Sequence, residues 1–232
     1  LWEQEAVRSS RTTPTSLRSS AEELRLASQG AFEPKTSPAH AGPPPLKNMP
    51  TVFVFHGVGG HSKENWFPWL KDALGQEGYD VVVPDFPNPN HPVLSEWSDC
   101  FRQYDTLIDE HTVFVGHSLG GAFALRLLER MPRPIHACFL VASVCGVMGN
   151  QFDPEMKTFT EHPFDWETIR KKVKHISVVH SDNDPYIKLS QAEALAKNLG
   201  TTVTLVRGGG HLSASAGYTE FPLLLEQITA TA

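Results

Sequence analysis

The sequence predicts an α/β fold, namely a three-layer α/β/α sandwich built on a mostly parallel sheet of about six strands. From Thr51 onward, short β-branched runs alternate with segments of helical periodicity, which is the pattern of parallel strands joined by crossover helices. The 232 residues are 40% hydrophobic and 20% charged, the composition of an ordinary globular protein with a full core. The predicted strands cover residues 51–55, 80–83, 112–115, 137–141, 176–179 and 203–206.

At least five helices are expected between and after these strands. Apolar residues from Trp97 to Ile108 recur at i, i+4, i+7 and i+11, so they share one face of a helix that Ser95 opens. Gly200 stands where a left-handed cap would end another helix. The segment 146–166 is rich in aromatic residues and carries two prolines, and we expect it to be a long loop that folds over another surface. The predicted helices cover residues 66–74, 95–108, 119–129, 191–199 and 221–228.

Residues 1–48 are predicted to be a flexible tail, and residues 49–232 a single domain. The tail holds seven Ser, four Thr and six Pro, a composition that buries too little apolar surface to offset the entropy lost on ordering. A targeting peptide is the alternative, but the tail's glutamates and its lack of an apolar segment argue against it. Because the globular pattern starts directly after Met49, the interpretation of the tail as upstream sequence or as a non-native addition stays open.

Charge and composition exclude several classes of partner. Residues 49–232 hold 14 Lys or Arg against 21 Asp or Glu, without the basic stripe that nucleic acid or an anionic membrane surface requires. No apolar run approaches the length of a membrane span. The 11 histidines show no zinc-binding pattern, so neither a metal nor a cofactor is expected. Three cysteines, an odd number and partly in apolar runs, predict a reducing, cytoplasmic setting.

The most informative motif is a G-x-S-x-G pentapeptide between a predicted strand and a predicted helix. Residues 112–115 form the strand, and Ser118 stands between Gly116 and Gly120. This is the pattern of a nucleophile elbow, a tight strained turn whose flanking residues must be small. The turn exposes the serine hydroxyl beside a helix N-terminus, where the N–H of Leu119 can donate to an oxyanion.

A serine nucleophile needs a histidine base and a carboxylate that orients it, in the chain order Ser, acid, His for this kind of elbow. Asp184 follows the 176–179 strand and His211 follows the 203–206 strand. Both therefore lie at the carboxyl ends of strands, where ligands bind in open α/β sheets. We predict Asp184 as the acid and His211 as the base, with Asp182 as the competing acid.

The first strand ends in His-Gly-Val-Gly-Gly, a motif that supplies a second oxyanion donor. Val58 is the predicted donor, and Gly59 is the alternative if the loop turns one residue later. Four further side chains are predicted to contact substrate, although each also suits a place in the packed interior. They are Trp66, His117, Phe159 and Trp166.

Six groups of residues together give a more specific signal than the elbow alone. They are His56-Gly57, residues 65–70, Gly116 to Gly120, residues 163–166, residues 181–185, and Gly210-His211 with Phe221-Pro222. On these the sequence resembles the small α/β-hydrolase family of YdeN-like and retinoblastoma-binding-protein-9-type serine hydrolases, over about residues 49–232. The resemblance implies a compact α/β-hydrolase domain with a Ser-Asp-His triad, and its acid stands directly before a proline, as Asp184 does.

The resemblance also implies hydrolysis of small esters or amides. The main hypothesis is a carboxylesterase-type serine hydrolase that takes a small-molecule ester with a short acyl group and works through an acyl-enzyme. Two alternatives stay open: an amidase or aminopeptidase on the same triad, and a non-catalytic module that binds a protein partner, so far unidentified, through residues 146–166.

Overall fold

The computed structural model describes residues 49–231, so the predicted tail lies outside the described residues. Within them the chain forms one sheet in which every neighbouring pair of strands is parallel, in the order β2-β1-β3-β4-β5-β6. The strands are β1 (Thr51–Phe55), β2 (Asp80–Val82), β3 (Val113–His117), β4 (Ile135–Val141), β5 (Val173–Ser181) and β6 (Val203–Val206). The predicted six-stranded parallel sheet is confirmed.

Seven α-helices accompany the sheet in the described part of the chain. They are α1 (Phe67–Gln76), α2 (Leu94–Phe101), α3 (Leu119–Arg130), α4 (Asp153–Thr160), α5 (Trp166–Lys171), α6 (Leu189–Leu199) and α7 (Pro222–Thr229). The helix predicted over 95–108 ends at Phe101 and tightens into a 3₁₀ turn at Arg102–Leu107. Gly200 caps α6 in the left-handed conformation, as predicted.

The segment 146–166 is not the continuous loop that the sequence predicts, because it contains α4 and opens α5. Pro154 occupies the first turn of α4, where the missing N–H is not needed. Asp165 caps α5 by accepting a hydrogen bond from the backbone N–H of Thr168 at 3.0 Å. Prolines that look like helix breakers here stand at or before helix starts.

Two apolar cores lie on the two faces of the sheet. Since side chains alternate along a strand, Phe53 and Phe55 of β1 face one core and Val52 and Val54 face the other. The first core packs against α2 to α6, and the second packs against α1 and α7. The three-layer α/β/α sandwich is therefore confirmed.

The strand order places a crevice at the carboxyl ends of β1 and β3. From β1 the chain continues to β2 on one side, while β3 pairs with β1 on the other side. The loops that follow β1 and β3 therefore part, and such a switch point is where open α/β sheets bind ligands. None of the helices in residues 49–231 is long and apolar enough to cross a membrane. All three cysteines carry free thiols.

Candidate active site

Ser118 stands at the sharp turn between β3 and α3. Its backbone has φ +56° and ψ −121°, a region that a residue with a side chain rarely adopts. The turn is held because the N–H of Ser118 donates to the carbonyl of Val141 at 3.0 Å, and its carbonyl accepts from Gly121 at 3.1 Å and Val144 at 3.2 Å. Ser118 is partly exposed, while the residues on either side of it are buried.

The glycines around Ser118 are required by lack of space. A Cβ at Gly120 would lie 2.2 Å from the carbonyl oxygen of Phe55, and one at Gly116 would lie 2.5 Å from the carbonyl oxygen of Gly120. A Cβ at Gly57, in the loop after β1, would lie 2.9 Å from the Cβ of Ser118. These contacts mean that the β1 loop packs directly against the serine, and that the start of α3 packs directly against the ends of β1 and β3.

Asp184 and His211 form a hydrogen-bonded pair beside this turn. The Nδ1 of His211 lies 2.8 Å from Oδ2 of Asp184, and the other carboxylate oxygen accepts the backbone N–H groups of Tyr186 at 2.8 Å and Ile187 at 3.0 Å. Burial alone would raise the pKa of Asp184, but the His211 contact and the two backbone donors outweigh it and lower the pKa. A carboxylate that holds Nδ1–H leaves Nε2 free to act as a base.

The competing acid, Asp182, has a different partner. Its Oδ1 accepts the backbone N–H of Gly208 at 2.7 Å, and the residue is exposed. Asn183 accepts the N–H of Gly210 at 2.8 Å. These two side chains fix the loop that carries His211, whereas Asp184 contacts the imidazole itself.

The loop after β1 distinguishes between the two predicted oxyanion donors. The N–H of Gly59 donates to the carbonyl of Pro89 at 2.7 Å, so it is already engaged. Val58 lines the same cavity as Ser118. Leu119 is the first residue of α3, where a backbone N–H has no partner within the helix. The contact of Gly59 with Pro89 favours Val58 over Gly59 as the second donor beside Leu119.

A cavity of about 210 Å³ opens at this crevice. Ser118 and His211 both line it, together with side chains from the segment 146–166 and from the loop that follows Asp184. The remaining lining residues are Val58, Val144, Met148, Asn150, Phe152, Met156, Tyr186 and Ile187.

The four predicted substrate contacts lie outside this lining. Trp66 and Phe159 are fully buried, and the indole N–H of Trp66 donates to the carbonyl of Leu212 at 2.9 Å. Phe159 packs in the first core, and Trp166 packs on Phe164 with ring centroids 5.1 Å apart. Their large apolar surfaces are directed into the cores, so Trp66 braces the loop that carries His211 and does not border the cavity.

His117, the fourth, is 4% exposed and lies behind the pair. Its Nε2 donates to the backbone carbonyl of His211 at 2.9 Å, and the two imidazole rings are 4.9 Å apart. Burial, with the adjacent His211, lowers the pKa of His117 to about 3. His117 is therefore neutral over the physiological range and serves as a hydrogen-bond donor.

Two more buried histidines brace the loops of the site. Nδ1 of His56 lies 2.9 Å from the carbonyl of Gly57, and Nε2 of His180 lies 3.0 Å from the carbonyl of Ile187. Burial lowers the pKa of both rings. Like His117, they bond to the backbone on either side of the cavity.

Arg126 is a buried residue of the site region that sequence reasoning did not identify. Its guanidinium donates to the carbonyls of Phe159 at 2.9 Å, His162 and Pro163, lies over the ring of Phe164, and pairs with Glu129. The signal in the sequence is a charged residue, Arg126, on the apolar face of the helix that follows Ser118. It ties the end of the segment that borders the cavity to α3.

The fold is the compact α/β-hydrolase fold, with a strained serine at the crevice where ligands bind to such sheets. The chain belongs to the serine hydrolase family, because the sequence model of that family matches residues 52–230. The predicted resemblance is therefore confirmed.

Two curated relatives and several solved structures support this assignment. YdeN of Bacillus subtilis (strain 168) is 30% identical over 77% of this chain and 94% of its own. The serine hydrolase RBBP9 of Rattus norvegicus is 26% identical over 67% of this chain and 82% of its own. The crystal structure of the B. subtilis ydeN gene product superposes with a TM-score of 0.75 at 29% identity, over 79% of this chain and 98% of that one. Est1E from Butyrivibrio proteoclasticus shares the fold, with a TM-score of 0.60 at 18% identity, over 78% of this chain and 86% of that one.

Proposed function

We propose that this serine hydrolase cleaves small carboxylic esters through an acyl-enzyme formed on Ser118. The observation that carries the proposal is the 2.8 Å contact between His211 and Asp184, together with the position of Ser118 and His211 on one cavity. Each of the three side chains follows a different parallel strand, and the strained Ser118 backbone is of the kind found at functional sites.

In the proposed mechanism, Oγ of Ser118 attacks the ester carbonyl while Nε2 of His211 takes its proton. Asp184 holds the imidazole in the required tautomer and stabilises the imidazolium. The N–H groups of Val58 and Leu119 donate to the oxyanion, each lowering the barrier by about 3 kcal/mol. The intermediate collapses as His211 protonates the leaving alcohol, and water then repeats the sequence and releases the acid.

A fluorophosphonate probe tests the proposal without knowledge of the natural substrate. It forms a covalent bond only with an activated serine, so wild type should label and Ser118→Ala should not. His211→Ala should label roughly 10³-fold or more slowly, because no base remains. Circular dichroism establishes that each variant is folded, and a folded wild type that does not label would overturn the proposal.

A matched pair of variants tests the identity of the acid. Asp184→Asn should lower the labelling rate by about 10³ to 10⁴-fold, since an amide at this position stabilises the wrong imidazole tautomer. Asp182→Asn makes the same chemical change two residues away and should leave the rate within about threefold. Equal losses in the two variants would contradict the assignment.

A further inference from the structure

The lining of the cavity holds no acidic side chain, and its only basic side chain is the proposed base, His211. Besides Ser118 and His211 it consists of apolar or aromatic side chains and one amide, with no Asp, Glu, Lys or Arg. Asp184 does not contribute a surface, because its side chain is fully buried beneath His211. An ammonium or carboxylate bound in the cavity would therefore contact no counter-charge on the lining.

The one amide on the lining hydrogen-bonds to the backbone through both its oxygen and its nitrogen. The side-chain oxygen of Asn150 accepts the N–H of Phe152 at 2.9 Å, and its nitrogen donates to the carbonyl of Tyr186 at 3.0 Å. Asn150 thus joins the segment 146–166 to the loop that follows Asp184, and the only other polar side chain on the lining besides Ser118 and His211 is the neutral phenol of Tyr186.

The size of the cavity limits the group that it can hold. Its volume is about 210 Å³, while an engineered apolar cavity of about 150 Å³ accommodates benzene. The space therefore suits roughly six to eight non-hydrogen atoms.

The walls of the cavity are both apolar and adaptable. Met148 and Met156 are flexible thioether side chains that adjust to irregular shapes. The ring of Phe152 meets that of Tyr186 edge-on at 5.5 Å, and Tyr186 meets His211 edge-on at 4.9 Å. A continuous aromatic wall therefore runs from the proposed base to the segment that carries Met148.

We infer that this cavity holds the acyl group of the substrate, and that this group is neutral and apolar and has about six to eight non-hydrogen atoms, with Met148, Phe152 and Met156 setting this specificity. The inference rests on the proposed function. It counts against an aminopeptidase, because the α-ammonium of an aminoacyl substrate would meet no carboxylate on these walls.

Three p-nitrophenyl esters with six-carbon acyl chains test the charge requirement: neutral hexanoyl, cationic norleucyl and anionic adipoyl. We expect kcat/KM for hexanoyl to exceed that for each charged ester by about 100-fold or more. A norleucyl ester hydrolysed as fast as the hexanoyl ester would overturn the inference. A series from acetyl to decanoyl tests size, and should peak near hexanoyl. Fastest turnover of decanoyl would overturn the size limit.

Two neighbouring substitutions locate the specificity. Met148→Lys places a cation on the lining and should raise the adipoyl-to-hexanoyl ratio by roughly tenfold. Val147→Lys adds the same charge at a side chain that is 67% exposed and outside the lining, and should leave the ratio unchanged. An equal effect in both variants would contradict a role for Met148.

Fluorophosphonate labelling of the same preparations distinguishes a failure of this inference from a failure of the proposed function. Protein that labels at Ser118 but shows no preference for the neutral ester refutes the inference and leaves the proposed hydrolase intact. Folded protein that does not label refutes the proposed function itself.

Discussion

Replacement of Gly120 by alanine should disrupt both the stability of the fold and the reactivity of Ser118. The added Cβ would lie 2.2 Å from the carbonyl oxygen of Phe55, 2.6 Å from its carbonyl carbon and 2.7 Å from the carbonyl oxygen of His56. All three atoms belong to the backbone at the end of β1, so no side-chain rotation can relieve the contact. Ordinary van der Waals contact begins near 3.4 Å, and β1 and α3 would have to separate by about 1 Å.

The magnitude follows from the position of these atoms. Phe55 is fully buried and pairs in register with Gly116 of β3, so separation strains the pairing of β1 with β3. Overpacking of this kind lowers the free energy of unfolding by about 1 to 3 kcal/mol. Because the backbone atoms in contact cannot rotate away, we expect Gly120→Ala to lie at or above the upper end of this range. Because α3 begins directly after Ser118, the displacement also moves the nucleophile. A misplacement of about 1 Å lowers reactivity by roughly 100-fold.

Gly75→Ala is the matched control, because Gly75 is also helical but a Cβ there meets nothing within 4 Å. The same substitution should stabilise α1 by about 0.5 to 1 kcal/mol through its higher helix propensity. Urea unfolding gives both free energies, and the rate of fluorophosphonate labelling gives the reactivity. A Gly120→Ala variant as stable and as reactive as Gly75→Ala would refute the steric reasoning.

Three further predictions concern buried polar groups. The folded-state pKa of His117, about 3, lies below its ordinary value of 6.5, so the unfolded chain binds an extra proton between these pH values. This ring alone should therefore lower the free energy of unfolding by roughly 1 to 1.5 kcal/mol for each pH unit below 6.5, and His56 and His180, whose pKa values burial also lowers, act in the same direction. His117→Gln should make this dependence shallower in urea titrations at pH 7, 6 and 5, and an unchanged slope would contradict the assignment. Arg126→Met removes the donor to three carbonyls and should lower the free energy of unfolding in urea by about 3 to 5 kcal/mol. Arg102→Met breaks an exposed ion pair with Asp99 and should lower it by less than about 0.5 kcal/mol. Equal losses in the two variants would argue against a buried network. Trp66→Phe leaves the carbonyl of Leu212 without its donor, so it should lower the free energy of unfolding by about 1 to 3 kcal/mol and slow fluorophosphonate labelling. A variant with wild-type stability and labelling would show that this hydrogen bond is dispensable.

The local sequence pattern of the segment 146–166 does not predict the helices α4 and α5. Aromatic residues and two prolines resemble a loop, yet Pro154 lies in the first turn of α4. Tertiary hydrogen bonds from Arg126 hold α4 and the turn that follows it, and α5 has in addition the local N-cap of Asp165. Helices of six to eight residues have little intrinsic stability, so their sequence carries a weak signal.

The sequence by itself determined the parallel sheet and the candidates Ser118, Asp184 and His211. It also determined the order along the chain in which serine, acid and histidine follow their strands. These depend on local rules, because periodicity of apolar residues, small residues at a tight turn and the positions that follow strands are all visible in a linear chain. Only the tertiary structure decided between partners that lie far apart in sequence. It paired His211 with Asp184, engaged Gly59 with Pro89, and directed Trp66 and Phe159 into the cores while Tyr186 and Met148 came to the cavity. An aromatic side chain is equally suited to a core and to a binding surface, and which of the two it enters is set by the packing of elements that sequence alone does not place.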